Sequence, residues 1–480
     1  MRNVVFICLD TVRKDYFDEY MPRLQKLADQ DFEQARAPSI WSAPSHASIF
    51  TGKLPYQHGV HAKSPTFDTV CLDDTFLDSL DSHRTIGVSA NPFADSYHGF
   101  DAFFDEFTDI DQYSAYPNGI NLRDFIVSQM DEDDTPTAYV KSNLANPRFH
   151  LRFLHECLTD EQPLKSLANG MIGAADLASQ RLPTPKLRDY GASTVCREAT
   201  ETISSTTEPF FLFMNVMDAH TPLQHVRGFD KHLHDAENTW ACTTDRYNPW
   251  DVIENIDEHQ EYLEKRRGLY AAAIDYLDRK IASFIADVQR VTDQETTFII
   301  TADHGENLGY EDDEFLVMHK SSMTEGILHV PLCIVNSPLE FETEDPISLM
   351  DTGTLVKSVI EESDKRLNRS PIAAEVVGLS SISGTKHESN EYWDRMIRAV
   401  YDADTKYVWD SIGNTTRYRI DFDQPCKQPE RETDVSIPSA ISNIFDIEIT
   451  EFKQQLSEED DFGTKANQEV ESRLRNLGYI

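Results

Sequence analysis

Three apolar runs in this chain end abruptly in groups able to hold a cation. Residues 4–9 run into Asp10-Thr11, residues 210–217 into Asp218-Ala219-His220-Thr221-Pro222, and residues 297–301 lead to Asp303-His304-Gly305-Glu306. One Asp after one strand is commonly a helix cap. Three such ends in one sheet, two of them with an imidazole, read better as a shared divalent-metal site with open positions. The fourth element is Trp41-Ser42-Ala43-Pro44-Ser45-His46, followed by a helical segment up to Gly52. It sets Ser42 at a helix amino terminus, where free N–H groups and the dipole stabilise an anion. Alone, Ser42 or Ser45 would read as a simple cap.

The elements that must position these groups alternate. Residues 4–9, 86–90, 210–217, 297–301 and 330–335 are continuous apolar runs, the pattern of parallel strands buried on both faces. Residues 22–30, 193–205 and 258–288 read as helices, the last with Leu263, Leu269, Tyr270, Ile274, Leu277 and Ile281 at helical spacing. The rhythm predicts an α/β fold, a mostly parallel central sheet sandwiched by helices, with ligands beyond the carboxyl ends of the strands. We expect a catalytic unit over 1–365, with 101–185 as an insertion over one sheet edge. From 366 to 480 the texture changes. Short β-rich runs at 396–401, 405–409 and 415–422, the last two joined by Gly413-Asn414, predict a small C-terminal antiparallel sheet. A closing helix is expected at 467–477, ended by Gly478.

Composition narrows the partners. The 480 residues carry 44 Lys+Arg against 83 Asp+Glu, a formal charge of −39, and 40% are apolar. The apolar share excludes a disordered chain. The negative field argues against nucleic acid and anionic membrane, though not against a small anionic substrate drawn in by a metal. The acid is dispersed, as on surfaces kept soluble in a high-salt, halophilic cytoplasm. Seven scattered cysteines without a C-x-x-C pair read as reduced thiols. The first apolar run stops at Asp10, too short for an export signal, and no segment reaches the roughly 20 apolar residues of a membrane span. The expectation is a cytoplasmic protein.

Ser42-Ala43-Pro44-Ser45-His46 followed by Thr51-Gly52 resembles the signature of the sulfatase family, within the alkaline phosphatase superfamily: Cys or Ser, any residue, Pro, Ser, Arg, then a helix ending in Thr-Gly. Asp10-Thr11-Val12-Arg13, Leu54-Pro55-Tyr56-Gln57-His58-Gly59, Asp218-Ala219-His220-Thr221-Pro222, Thr301-Ala302-Asp303-His304-Gly305-Glu306 and His329-Val330-Pro331-Leu332 also resemble family segments, in family order. The resemblance implies a metal-dependent sulfuric ester hydrolase of arylsulfatase-like type. Ser42 stands at the nucleophile position, which working sulfatases convert from Cys or Ser to formylglycine. Asp10, Asp303 and His304 fall on metal positions, with Ser42 as a further ligand. His220 matches a His at the leaving group, a candidate general acid. Lys320, and beside it His319, fall where a substrate-binding Lys is usual, and Asn91 is a further candidate substrate contact. The implied partner is a small or glycan-type anionic ester.

The departures shape the chemistry. Thr11 replaces a second Asp. His304 stands where many sulfatases have Asn; imidazole suits zinc or manganese better than the calcium that the resemblance implies. His46 replaces the signature Arg that helps activate the nucleophile, and stays a catalytic candidate. Superfamily relatives such as phosphodiesterases use an unmodified Ser or Thr, so phosphoester hydrolysis or transfer by free Ser42 stands as the alternative, and a non-catalytic member as a lesser one. His58 and His61 are expected to pack or cap, and Trp250, Trp393 and Trp409 to fill cores.

Overall fold

The computed structural model describes residues 1–111, 114–129, 146–179, 183–243, 249–363, 367, 372–378 and 390–459. Strand β1 (Asn3–Leu9) is buried along all seven residues, as its unbroken apolar run requires. It lies in a seven-stranded sheet with β2 (Gln30–Asp31), β4 (Arg84–Ser89), β5 (Glu106–Asp109), β6 (Phe210–Val216), β7 (Thr296–Thr301) and β8 (Leu332–Val335), in the order β2-β8-β7-β1-β6-β4-β5. β1 pairs parallel with β6 and β7, and β4 parallel with β6 and β5. Only β8, against β7, and β2, against β8, run antiparallel. The expected mostly parallel α/β sheet is therefore present, made mixed by these two antiparallel pairings. β3 (Ala35–Arg36) and β9 (Ile347–Ser348) form a separate short pair.

The Ala192–Ser205 and Gln260–Val291 helices pack on each other in one helical layer; Ser42–Thr51 and Thr352–Glu361 pair in another. Side chains two apart on a strand share a face, so Phe213 and Asn215 of β6 both face the Ser42–Thr51 helix. Beneath that helix Phe50, Phe100 and Phe213 form a ring cluster with centroids 5.2–5.5 Å apart. Each buried ring contributes about 1.5–3 kcal/mol of apolar burial, so the cluster fixes the platform that carries Ser42.

Two features depart from the sequence reading. Residues 106–109, expected within the insertion, are an edge strand of the central sheet. Beyond them, the Leu122–Ser128, Pro147–Thr159 and Pro163–Ser179 helices make a satellite with its own small core of Phe125, Ile126 and Phe149. The C-terminal sheet has five strands, β10 (Ile372–Val376), β11 (Ile397–Asp402), β12 (Thr405–Asp410), β13 (Thr415–Arg419) and β14 (Glu430–Thr433), paired antiparallel in sequence order. Gly413 makes the β12–β13 turn at φ 96°. Buried Glu325 ties this sheet to the short β3–β9 pair, meeting Lys406 Nζ at 2.8 Å, the Tyr401 hydroxyl at 2.6 Å and Arg36 Nε, on β3, at 2.9 Å. The helix expected at 467–477 lies outside the described residues.

Candidate active site

Asp10 leaves β1 on a strained turn. Thr11 adopts φ 61°, a left-handed conformation that costs a β-branched residue about 1–3 kcal/mol. The turn is clamped: the Thr11 carbonyl accepts the Tyr270 hydroxyl at 2.5 Å, and the same Tyr oxygen accepts the Arg13 amide at 3.0 Å. From the neighbouring strand β7 come Asp303 and His304. Gly305 follows because nothing larger fits; a Cβ there would stand 2.1 Å from the Gly326 carbonyl oxygen.

The Ser42–Thr51 helix brings its first residue to these groups. Trp41 is extended (φ −156°), so Ser42 opens the helix, and Gly52 closes it at φ 67° with its N–H on the Ser48 carbonyl. Ser42 Oγ donates to Asp10 Oδ2 at 3.1 Å, and Asn91 Nδ2 donates to the same oxygen at 2.5 Å. His304 Nδ1–H donates to the Gly305 carbonyl at 2.8 Å, which makes Nε2 the basic atom of the ring. Nε2 lies 3.6 Å from Asp303 Oδ2.

One ligand atom from each of Asp10, Asp303 and His304 fits within a 4.8 Å circle of mutual distances, all three residues being buried. Asp10 Oδ1, Asp303 Oδ2 and His304 Nε2 accept no hydrogen bond. Buried acceptors converging without a donor are costly unless a cation completes them, so these residues fit a divalent ion. The charges agree. Burial and the Asp303 charge push the Asp10 carboxyl well above its usual range. Burial acts the same way on Asp303, but His304 and His46 hold it low; burial lowers His304 itself. A donor set of two carboxylates and an imidazole suits zinc or manganese better than calcium.

The sequence-derived candidates divide into two groups. His46 is sealed between the Phe100 and Phe213 rings, its Nδ1–H donating to the Ser42 carbonyl at 2.8 Å and its Nε2 accepting from Asn215 at 3.2 Å. Burial lowers its basicity, so it is a neutral brace under the Ser42 backbone and not a stand-in for the charge of an Arg. Asn91 likewise sits behind Asp10, its Oδ1 accepting the Phe93 amide at 2.8 Å. The strand end at Asp218 behaves differently from the expectation: Asp218 caps the approach to the Ala192–Ser205 helix, accepting the Tyr190 and Ala192 amides at 3.0 Å each. Burial, then nearby Asp189, pushes its carboxyl up to about 8.

His220, His319 and Lys320 gather on the other side of His304. The His319 ring lies 4.9 Å from that of His304 and 5.4 Å from that of His220. His220 Nδ1–H donates to the Thr221 carbonyl at 2.6 Å, and burial, then His319, lowers its ring to about 4. Lys320 Nζ stands 4.9 Å above the Trp250 ring, and burial lowers it to about 8. Trp250, expected in a core, does pack on Trp393, but it also carries this amine.

Two members escaped the sequence reading. Glu306 lies 3.5 Å from His319 Nδ1 and 3.2 Å from Arg266 Nη2, and Arg266 also donates to Thr221 Oγ1 at 3.2 Å. Burial would raise the Glu306 carboxyl, yet His319 and Arg266 hold it at about 2. The one legible signal was an Arg on the apolar stripe of the long helix, beside Leu263 and Tyr270. Arg13 pairs with Asp15 at 2.7 Å and with Asp313 at 2.9 Å. His58 has a packing role, its Nε2–H on Ser48 Oγ at 3.0 Å while burial takes its ring to about 3.

An α/β sheet thus sets a hydroxyl-bearing helix terminus against a buried Asp/Asp/His cluster able to hold a cation. The family model described as Sulfatase matches residues 2–354, and the chain belongs to the sulfatase family of the alkaline phosphatase superfamily. It is distantly similar to human iduronate 2-sulfatase, 23% identical over 364 residues, which is 69% of this chain and 58% of that protein. The mouse counterpart is 22% identical over 342 residues, 64% and 55% respectively. The chain thus spans less than two thirds of these relatives' length. Among solved structures, the phosphonate monoester hydrolase of Agrobacterium radiobacter superposes with a TM-score of 0.57 at 13% identity, over 87% of this chain and 89% of that one. A protein solved in complex with its substrate D-glucosamine-2-N,6-O-disulfate gives 0.50 at 13% identity, over 99% and 98%. At such identities the likeness is one of fold.

Proposed function

We propose that the chain hydrolyses sulfate esters of small or sugar-type anionic molecules, with Ser42, as the free hydroxyl or as formylglycine, for its nucleophile. The observation that carries this reading is that Ser42 Oγ bonds Asp10 Oδ2 while Asp10 Oδ1, Asp303 Oδ2 and His304 Nε2 stand unsatisfied, in a chain of this family. A divalent cation held by these residues would supply Lewis-acid polarisation of the ester and a lowered pKa for the nucleophile.

The chain's own groups do the rest. Asp10 accepts the Ser42 hydroxyl proton and points the oxygen lone pairs outward. Asn91 and His46 hold Asp10 and the Ser42 backbone in place, acting as positioning residues. Lys320, cationic below about pH 8, binds an oxygen of the sulfuryl group. An anionic ester beside His220 raises the basicity of its ring, which then takes up a proton and delivers it to the leaving oxygen. Trp250, buried beneath the amine, holds Lys320 in place. The substrate of the solved neighbour, a disulfated glucosamine, is a sugar-type anion. Among the described residues no helix is long and apolar enough to cross a membrane.

A phosphoester substrate is the second reading. It is favoured by neutral His46 in place of the signature Arg. Peptide mass spectrometry of Ser42, with turnover of paired aryl sulfate and aryl phosphodiester substrates, separates the two. Formylglycine with sulfate turnover supports the first, and unmodified Ser with phosphodiester turnover the second. Full activity of Ser42→Ala would refute both.

A further inference from the structure

We propose that Trp393, entering from the C-terminal segment, is a positioning residue for Lys320 and so sets where the anionic group of a substrate is received. This role stands on Lys320 being the anion-binding amine of the proposed hydrolysis. Lys320 is 7% exposed, and among the described residues it forms no ion pair. A buried cation without a counter-ion is costly. What it has instead is an aromatic face, with Nζ 4.9 Å from the centroid of the Trp250 ring.

Two contacts made by Trp393 fix that arrangement. Its ring lies 4.8 Å from the Trp250 ring at 52°, in a small core shared with Leu316. The Trp250 plane can therefore tilt only by disrupting this core. The Trp393 carbonyl accepts the hydroxyl of Ser321, the residue after Lys320, at 2.6 Å. The segment that leads to Lys320 needs such a hold. Glu314, Phe315 and Met318 have left-handed backbones, at φ 55°, 60° and 63°. Residues with side chains keep that conformation only where their surroundings over-determine it.

Trp393 is itself tied to the C-terminal sheet. Arg395 pairs through Nε with Asp410 Oδ2, at the end of β12, at 2.9 Å. It also donates to the Tyr392 carbonyl at 2.6 Å and covers the Tyr392 ring. Asp410 in turn accepts the Ile412 and Asn414 amides of the β12–β13 turn. Contact thus runs from the small sheet through Trp393 to the lysine.

The pH dependence of Lys320 acetylation in the full chain, read by competitive labelling and peptide mass spectrometry, reports the amine's surroundings without any turnover. Burial lowers this amine to about 8; of the charges that act on it, Glu306 raises it and Arg266 lowers it. Trp393→Ala opens the Trp250 face to water. The labelling midpoint should then rise by about one unit or more, towards the ordinary value of about 10.4. Trp393→Phe keeps a ring on Trp250 and should stay within about half a unit of wild type. In turnover, Trp393→Ala should raise KM for the aryl ester about tenfold with kcat nearly kept, and Ser321→Ala should raise KM less. Trp409→Ala removes a comparable ring from the other core of the small sheet, against Phe445, and should move neither midpoint nor KM. It separates positioning from a general loss of stability, and Ser321→Ala decides the matter if Trp393→Ala fails to fold. An unmoved midpoint in Trp393→Ala, an equal effect of Trp409→Ala, or an unchanged KM in Ser321→Ala would overturn the positioning role. An unchanged KM in Lys320→Ala would instead overturn the anion-binding role of the lysine, on which the proposal stands.

Discussion

Replacing Asp10 by Asn should stabilise the metal-free protein and destabilise the metal-loaded one. Asn keeps the shape and an acceptor for Ser42 Oγ and Asn91 Nδ2, which now share Asp10 Oδ2. It replaces Oδ1, which accepts nothing, with a donor near Asp303. At the 4.8 Å limit and an effective dielectric of about 20, two unit charges repel by about 3.5 kcal/mol. Asp10 relieves part of this by taking up a proton, since its carboxyl is raised, so the gain on substitution should be about 1–3 kcal/mol. In a chelator, Asp10→Asn should therefore melt a few degrees above wild type. Saturating zinc or manganese at about a hundred times its Kd adds about 2.7 kcal/mol to wild type. The variant, short of one ligand charge, should gain little, and the order of melting temperatures should invert. Differential scanning calorimetry with and without the ion measures both. A variant less stable in both conditions, or an equal gain from the ion in both proteins, would refute the cation site.

Three further outcomes follow from the packing. Glu325→Gln leaves the buried Arg36 and Lys406 cations without their counter-charge, and should cost about 3–5 kcal/mol in denaturant unfolding, because one partner of a buried ion cluster is lost. Gly305→Ala should yield little folded protein by circular dichroism, its Cβ having no room against the Gly326 carbonyl. Lys320 is lowered to about 8 and carries its charge only below that pH. KM for an anionic ester should therefore rise as pH passes about 8, whereas Lys320→Arg should hold KM flat through that range.

Much of the fold was legible because the central strands are buried on both faces and so need unbroken apolar runs. β5 is half-exposed at the sheet edge and reads Glu-Phe-Thr-Asp, with no run to detect. β10 hides a buried Glu375, neutralised by Arg398 at 2.8 Å, which breaks the apolar pattern. At the site, spacing pointed to Asp10, Ser42, Asp303 and His304, and the structure brings them together. What lay beyond the sequence were the directions of side chains. Asp218 ends a strand just as Asp10 does, but turns to two backbone amides. Asn91 and His46 are near the centre yet face its supports. Glu306 and Arg266 are 40 residues apart and meet only through tertiary packing.

The central claim is that Ser42 and its Asp/Asp/His neighbours form a cation-dependent ester-hydrolysing centre. It is tested most directly by kcat/KM of the purified full chain on an aryl sulfate, with zinc, manganese or calcium and with chelator, beside Ser42→Ala. The account predicts turnover that a chelator abolishes, that a divalent ion restores, and that Ser42→Ala lacks while keeping its fold. Turnover unchanged by chelator and by loss of the Ser42 hydroxyl would contradict it.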